Sequence, residues 1–213
     1  MWGLVLGATL LAVSAEAGAK KNEDAIETTG IAMFDTVFAK VGPIDRTLSG
    51  VEGSLRTART NLTSALDLQK GTPLKDALAE LEREAGNQIT LASRGNVPTL
   101  TAQDAMPSNV QSAIGAVNAL TANLTSSLDD LQALPAQVDA LITQTRRFPN
   151  QLRAEFAKGG TSLLDTLFAI PKASSALNHN LGIVTGLPDR TLSVTDRTTD
   201  ILGVVSSTFS SRR

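Results

Sequence analysis

The sequence predicts an all-α protein, an elongated helical bundle or coiled-coil-like set of helices punctuated by Pro and Gly breaks. Three observations predict it. Apolar residues recur in alternating steps of four and three along several segments, the spacing of a helix seam. No strong strand pattern appears, the short run "GIVTGL" at 182–187 being the one candidate. Hydrophobic residues make up 42% of the chain but aromatics only 3%, with no Tyr, so burial falls to Leu, Val, Ile and Ala at helix seams. A chain of 213 residues has room for a core of useful size.

The elements follow in order. Residues 2–15, "WGLVLGATLLAVSA", form an uncharged run followed by the small-residue motifs Ala15-Glu16-Ala17 and Ala17-Gly18-Ala19, so residues 1–19 read as a signal peptide. The run is too short to span a bilayer comfortably. No Lys or Arg precedes it and Lys20-Lys21 follow it, which leaves an uncleaved anchor as the alternative. The expected location is accordingly exported, periplasmic or extracellular, or membrane-anchored through residues 2–15.

Residues 20–95 read as N-terminal amphipathic helices. Ile26, Met33, Phe34, Val37, Phe38 and Val41 share one face of a first helix that stops at Gly42-Pro43. A second, from Ile44 to about Gln69, carries the most regular seam: Ile44, Leu48, Val51, Leu55, Ala58, Leu62 and Ala65. Gly71-Thr72-Pro73 breaks it, with Thr72 the expected N-cap of a third helix whose seam runs Leu74, Leu78, Leu81, Ala85 and Ala92. Residues 96–107, with two prolines, read as a loop.

Residues 108–213 then read as a long kinked helix followed by shorter ones, within one helical domain overall. Ser108-x-x-Gln111 has the form of a capping box. The seam runs Val110, Ile114, Val117, Thr121, Leu124, Leu128 and Leu131, then Val138 and Ile142, and Pro135 falls on it, where an interior proline is expected to kink or restart the helix. Breaks at Gly159-Gly160, Pro171 and Gly186-Leu187-Pro188 predict separate helices over 161–169, 172–184 and 189–209.

The pentapeptide Asp-Arg-Thr-Leu-Ser occurs twice, at 45–49 and 189–193. Each copy follows a Pro within one or two residues, where a carboxylate favours a helix start, and each Leu would open an apolar stripe. The phrase reads as a structural helix opening, not a reactive site.

Catalytic chemistry finds little to work with, and the expectation is no enzyme, no cofactor and no metal. Cysteine is absent, which excludes disulfides, thiolate metal sites and cysteine nucleophiles. His179 is the one imidazole and reads as a polar residue at a helix end. Glu80, Glu82 and Glu84 surround Arg83 as a solvated, salt-bridged face, and Asp129-Asp130 lie off the seam. "GGTS" at 159–162 lacks the Lys of a phosphate loop. "NLT" at 61–63 and 123–125 matches a glycosylation sequon but lies within helical heptads. A net charge of −2 with scattered cations predicts no nucleic-acid partner.

One stretch stands out, "RRFPNQLRAEFAK" at 146–158. Arg146, Arg147, Arg153 and Lys158 interleave with Phe148 and Phe156, the composition of a short segment that contacts anionic lipid headgroups or a partner. The competing reading places both Phe in the core and the charges in water. Functionally the sequence predicts an exported, non-enzymatic helical bundle with a structural or protein-interaction role in the cell envelope, engaging a protein partner or itself through its helical seams. The alternative is a lipid-binding or membrane-surface protein. The Pro-punctuated helices resemble exchangeable apolipoproteins in that respect only, since the polar faces carry Thr, Ser and Asn in place of interleaved Lys and Glu. "LPAQVDAL" and "LDDLQAL" are similar to helical tails of mammalian-cell-entry lipid-transport proteins, whose barrel domain has no counterpart here.

Overall fold

The computed structural model describes residues 25–102, 106–158 and 163–210, without the side chains of residues 87, 158 and 163–168. The apolar run at 2–15 with its cleavage motifs, and the Gly159-Gly160 break with "GGTS", lie outside the described residues. Within them the chain is a predominantly helical bundle: α1 (Ala32–Phe38), α2 (Val41–Ala65), α3 (Leu74–Ala85), a β-hairpin of β1 (Ile89–Arg94) and β2 (Val97–Ala102), α4 (Ser108–Thr145), α5 (Phe148–Lys158) and α6 (Leu163–Ser210). A single-turn 3₁₀ segment, Gly86–Gln88, joins α3 to β1.

The frame is α2, α4 and α6. At 38 and 48 residues, α4 and α6 extend about 57 and 72 Å at ~1.5 Å per residue. Lys40 at the start of α2 donates to Gln144 at the end of α4 (3.0 Å), so these two run antiparallel. Arg190 of α6 meets Asp45 and Glu52 of α2, while Arg197 and Ile201 share a groove with Arg56 and Arg59, so α2 and α6 run parallel. The seams therefore find their partner helices within this chain. One continuous core results, running from Phe34 through Leu48, Leu62, Leu81, Val117, Leu131 and Leu141 to Val184 and Val205.

Several sequence expectations need correction. The first helix does not run to Gly42-Pro43: residues 25–31 are not helical, and the break falls at Ala39-Lys40. Gly42-Pro43 lie in the first turn of α2, where a proline forfeits no hydrogen bond. That helix stops at Ala65, short of Gln69. Asp67 takes φ +50° and the Leu68 amide reaches the Thr63 carbonyl at 2.8 Å, a Schellman closure with Asp where glycine is usual. Thr72 does not cap α3, because its hydroxyl donates to the Gln69 carbonyl (2.8 Å) and Pro73 occupies the cap position. Nor does Ser108 form a capping box: the Gln111 side chain donates through Nε2 to the Met106 carbonyl (2.8 Å) and Pro107 precedes the helix.

Proline proved a weaker breaker than expected. Pro135 lies inside α4 and is exposed, because the seam takes two successive three-residue steps, Leu128 to Leu131 to Leu134, and turns Leu134 inward in its place. Pro171 and Pro188 lie inside α6, so the three helices expected at 161–169, 172–184 and 189–209 are one from residue 163 on. Its buried seam, Ala173, Leu177, Asn180, Val184, Leu187, Thr191, Val194, Thr198, Ile201 and Val205, keeps steps of four and three without interruption. Packing along that seam, on both sides of Pro188, offsets the backbone bond lost there.

A short hairpin forms where no strand is expected. "GIVTGL" is helical, and the third helix ends at Ala85, so that Ala92 lies in β1 and residues 97–102 of the expected loop form β2. The strands pair antiparallel with Leu91 opposite Leu100, joined by the two-residue turn Gly95-Asn96. Gly95 sits first at φ +64°, as a type II′ hairpin turn requires.

Candidate functional site

Two asparagine side chains perform the same task at opposite places in the bundle. Asn180, fully buried on the α6 seam, accepts from the Glu27 amide through Oδ1 (2.8 Å) and donates to the Glu27 carbonyl through Nδ2 (2.7 Å). Asn118 of α4 does the same for Leu100 of β2, at 2.7 and 2.9 Å. A primary amide presents a donor and an acceptor side by side, so it substitutes for a neighbouring strand. The hairpin geometry dictates where this is needed. Residues 94 and 97 close the two-residue loop, so Pro98 and Leu100 turn their backbone groups to the outer edge of β2. Pro98 has no N–H to satisfy there, and its carbonyl accepts from the fully buried Thr121 hydroxyl at 2.7 Å.

His179 is half-buried in the middle of α6, not at a helix end, and its Nε2 donates to the Ala25 carbonyl at 3.0 Å. A carbonyl only accepts, which fixes the proton on Nε2. The one imidazole thus fastens the segment that Asn180 grips two residues further on. Thr29 then donates through both N and Oγ1 to the Asp35 carboxylate, each at 2.8 Å, and turns the chain into α1.

The duplicated pentapeptide acquires a function from the fold, since one copy holds the other. Arg190 of the second copy donates through Nη1 to Asp45 and through Nη2 to Ser49 (2.9 Å) of the first, and grips Glu52 with Nε (3.1 Å) and Nη2 (3.0 Å). The hydrogen bond to Glu52, then that to Asp45, raises the already high guanidinium pKa further against the opposing effect of burial. The copies are not equivalent. Neither opens a helix as expected: the first begins four residues into α2, beyond its first turn, with Leu48 fully buried, and the second lies deep inside α6, where Leu192 is 62% exposed and Thr191 faces the core. Arg46 only curls back to the Gly42 carbonyl (3.4 Å).

The basic aromatic stretch is divided by the fold. Phe148 is buried, stacked on Phe34 (centroids 4.4 Å apart, 26° between planes) and edge-on to Phe38 (5.5 Å, 85°). Arg146, Arg147 and Arg153 are exposed around the α4–α5 turn, and Phe156 is half-buried against the core. Phe156 also lies between two grooves of about 450 and 300 Å³, bordered by Arg153 and Lys172 respectively. Lys158 ends α5, and its side chain is outside the described ones.

Elsewhere the acidic run behaves as a solvated face. Arg83 pairs with Glu80, which lowers the Glu80 carboxyl pKa chiefly through their hydrogen bond, and Glu84 accepts from Asn109 at 3.4 Å. Among the described residues no group of His, Asp and Glu is placed to hold a metal ion, and no helix is long and apolar enough to cross a membrane.

No family model, curated protein or solved structure matches this chain. Sequence reasoning missed Asn118, Asn180 and Arg190. Only Arg190 carried a signal, the repeat itself; the asparagines stand out once the helix periods that place them are known.

Proposed function

We propose that this protein is an exported, non-enzymatic helical bundle with a structural or partner-binding role in the cell envelope. The observation that carries this reading is the use made of the residues most suited to chemistry. His179 and Asn180 fasten the backbone at Ala25 and Glu27, and Arg190 with its two carboxylates braces α2 against α6. Each is spent on rigidity, which is what a scaffold or docking platform requires. Since the seams of α2, α4 and α6 pair with one another, partner contacts fall on the outer faces. Export rests on the apolar run at 2–15 and its small-residue motifs.

The test is expression of the full chain in a bacterial host, followed by envelope fractionation and mass determination of the N-terminus. Recovery from the periplasm with a start between Glu16 and Lys20, and a single cooperative thermal transition, is the expected result. Retention in the cytoplasm with residues 1–19 intact would remove the export half of the reading.

The lipid-surface alternative draws support from Arg146, Arg147 and Arg153, all exposed at one end of the bundle. Flotation with anionic but not neutral liposomes, abolished by charge-neutral substitutions at these three positions, is its expected signature.

A further inference from the structure

A groove of about 370 Å³ lies between α2 and α6, one to two turns beyond the Arg190 brace, with the first residue of α3 at its edge. Its floor is apolar, formed by Leu55, Leu74 and Ile201. Of the five charged side chains along it, the two carboxylates are already engaged from neighbouring positions: Glu52 by Arg190, and Asp200 by Lys75 at 2.7 Å. The three guanidinium groups, Arg56, Arg59 and Arg197, are exposed and have no hydrogen-bond or ion-pair partner among the described residues. Arg56 and Arg59 are one turn apart on α2, and Arg197 enters from α6.

We infer that this groove binds a small anionic amphiphile whose phosphate monoester is held by Arg56, Arg59 and Arg197 and whose aliphatic part rests on Leu55, Leu74 and Ile201. Guanidinium forks match phosphate oxygens bidentately, and several of them on one phosphate are the usual means of holding it. A free phosphate would leave the apolar floor unused. The volume lies in the range of small-molecule sites, near ~300–1,000 Å³, and is too local for a protein partner, whose interface covers roughly 800 Å² a side. The same headgroup chemistry is offered by a monomeric amphiphile in solution and by a lipid embedded in a membrane. This inference does not depend on the scaffold role proposed above.

The test is calorimetric titration of the full chain with dihexanoylphosphatidic acid below its micelle concentration, dihexanoylphosphatidylcholine and inorganic phosphate. Long-chain phosphatidic acid in phosphatidylcholine vesicles forms a second arm, by flotation. The triple variant R56Q/R59Q/R197Q serves as the control in both. These side chains make no hydrogen bond or ion pair among the described residues, so circular dichroism of the variant should be unchanged. The expected result is one saturable site for the soluble phosphatidic acid, weakened about tenfold or more in the triple variant and by a similar factor for phosphate alone. Flotation that is lost in the variant assigns the source to the membrane; its absence beside calorimetric binding assigns a monomeric amphiphile. No saturable binding in either arm, equal affinity for inorganic phosphate, or undiminished binding by the variant would overturn the inference.

Discussion

Asn180 pairs with both backbone groups of Glu27, 153 positions earlier in the chain, and does so from a fully buried seam position of α6. A polar residue on a helix seam costs stability unless every group it carries is satisfied, and it fixes register because only one alignment satisfies it. Here the amide holds in place a segment with no secondary structure of its own. Asn180→Ala is expected to lower unfolding free energy by about 1–3 kcal/mol, because the Glu27 amide and carbonyl lose their partners. Hydrogen exchange locates the effect: the Glu27 amide should exchange far faster, while the Thr29 amide, held by Asp35, should respond less. Equal acceleration across α6 would show that Asn180 serves the core and not the segment.

Asn118 tests the same principle in a different context. Asn118→Ala removes the partner of both Leu100 backbone groups but leaves the Thr121 bond to Pro98 in place. The hairpin should loosen first, with loss of protection at the Leu100 amide and a stability change of about 1–3 kcal/mol. Asn118→Ala/Thr121→Val should exceed the sum of the two single changes, since both anchor one strand edge. Simple additivity in a double-mutant cycle would count against a shared anchor.

Leu48 and Leu192 occupy the same place in identical pentapeptides, yet one is fully buried and the other 62% exposed. Leu48→Ala is expected to cost about 2–5 kcal/mol by denaturant unfolding, as buried leucines do. Leu192→Ala should stay within about 0.5 kcal/mol. Similar costs at the two positions would contradict the outward placement of Leu192 on α6.

What could be read from the sequence follows from which forces act locally. The seam of α2 was largely legible, because Ile44, Leu48, Val51, Ala58 and Leu62 are buried on one steady period and Leu55 and Ala65 are half-buried against the same core. Proline and glycine misled in both directions. Pro171 and Pro188 looked like ends, but α6 runs through both, and its buried seam from Ala173 to Val205 spans Pro188, a tertiary effect that local propensity does not contain. The hairpin was missed although Gly95-Asn96 is a two-residue turn signal, because Ala85 and Ala92 also fit a heptad and the strands are only six residues each. Among the candidate contact residues, exposure of Arg146 and Arg147 agrees with either reading of that stretch, while burial of Phe148 depended on Phe34 and Phe38, over a hundred residues away, and no local pattern encodes that.

The Arg190 brace permits the most discriminating comparison. Both copies of the pentapeptide carry an arginine, but only Arg190 spans two helices, reaching Asp45, Ser49 and Glu52. Its side chain is 33% exposed, so solvent screening limits what the pairing contributes. The bidentate grip on Glu52 and the second carboxylate raise it above an isolated surface pair. Arg190→Gln should therefore cost about 1 kcal/mol at low ionic strength and less in ~1 M salt, where charges are screened within about 3 Å. Arg46→Gln, which removes only a long contact to a local carbonyl, should fall within about 0.5 kcal/mol at either salt concentration. The pH behaviour has a fixed sign. Pairing raises the Arg190 pKa above its unfolded value, so this contribution is complete at any pH below the unfolded pKa and is lost only as pH rises through the folded one, at strongly alkaline pH. Salt titrations of the two variants against the parent protein, followed by circular dichroism, decide the matter: a salt-independent difference at Arg190, or an equal one at Arg46, would mean that the brace is not what couples α2 to α6.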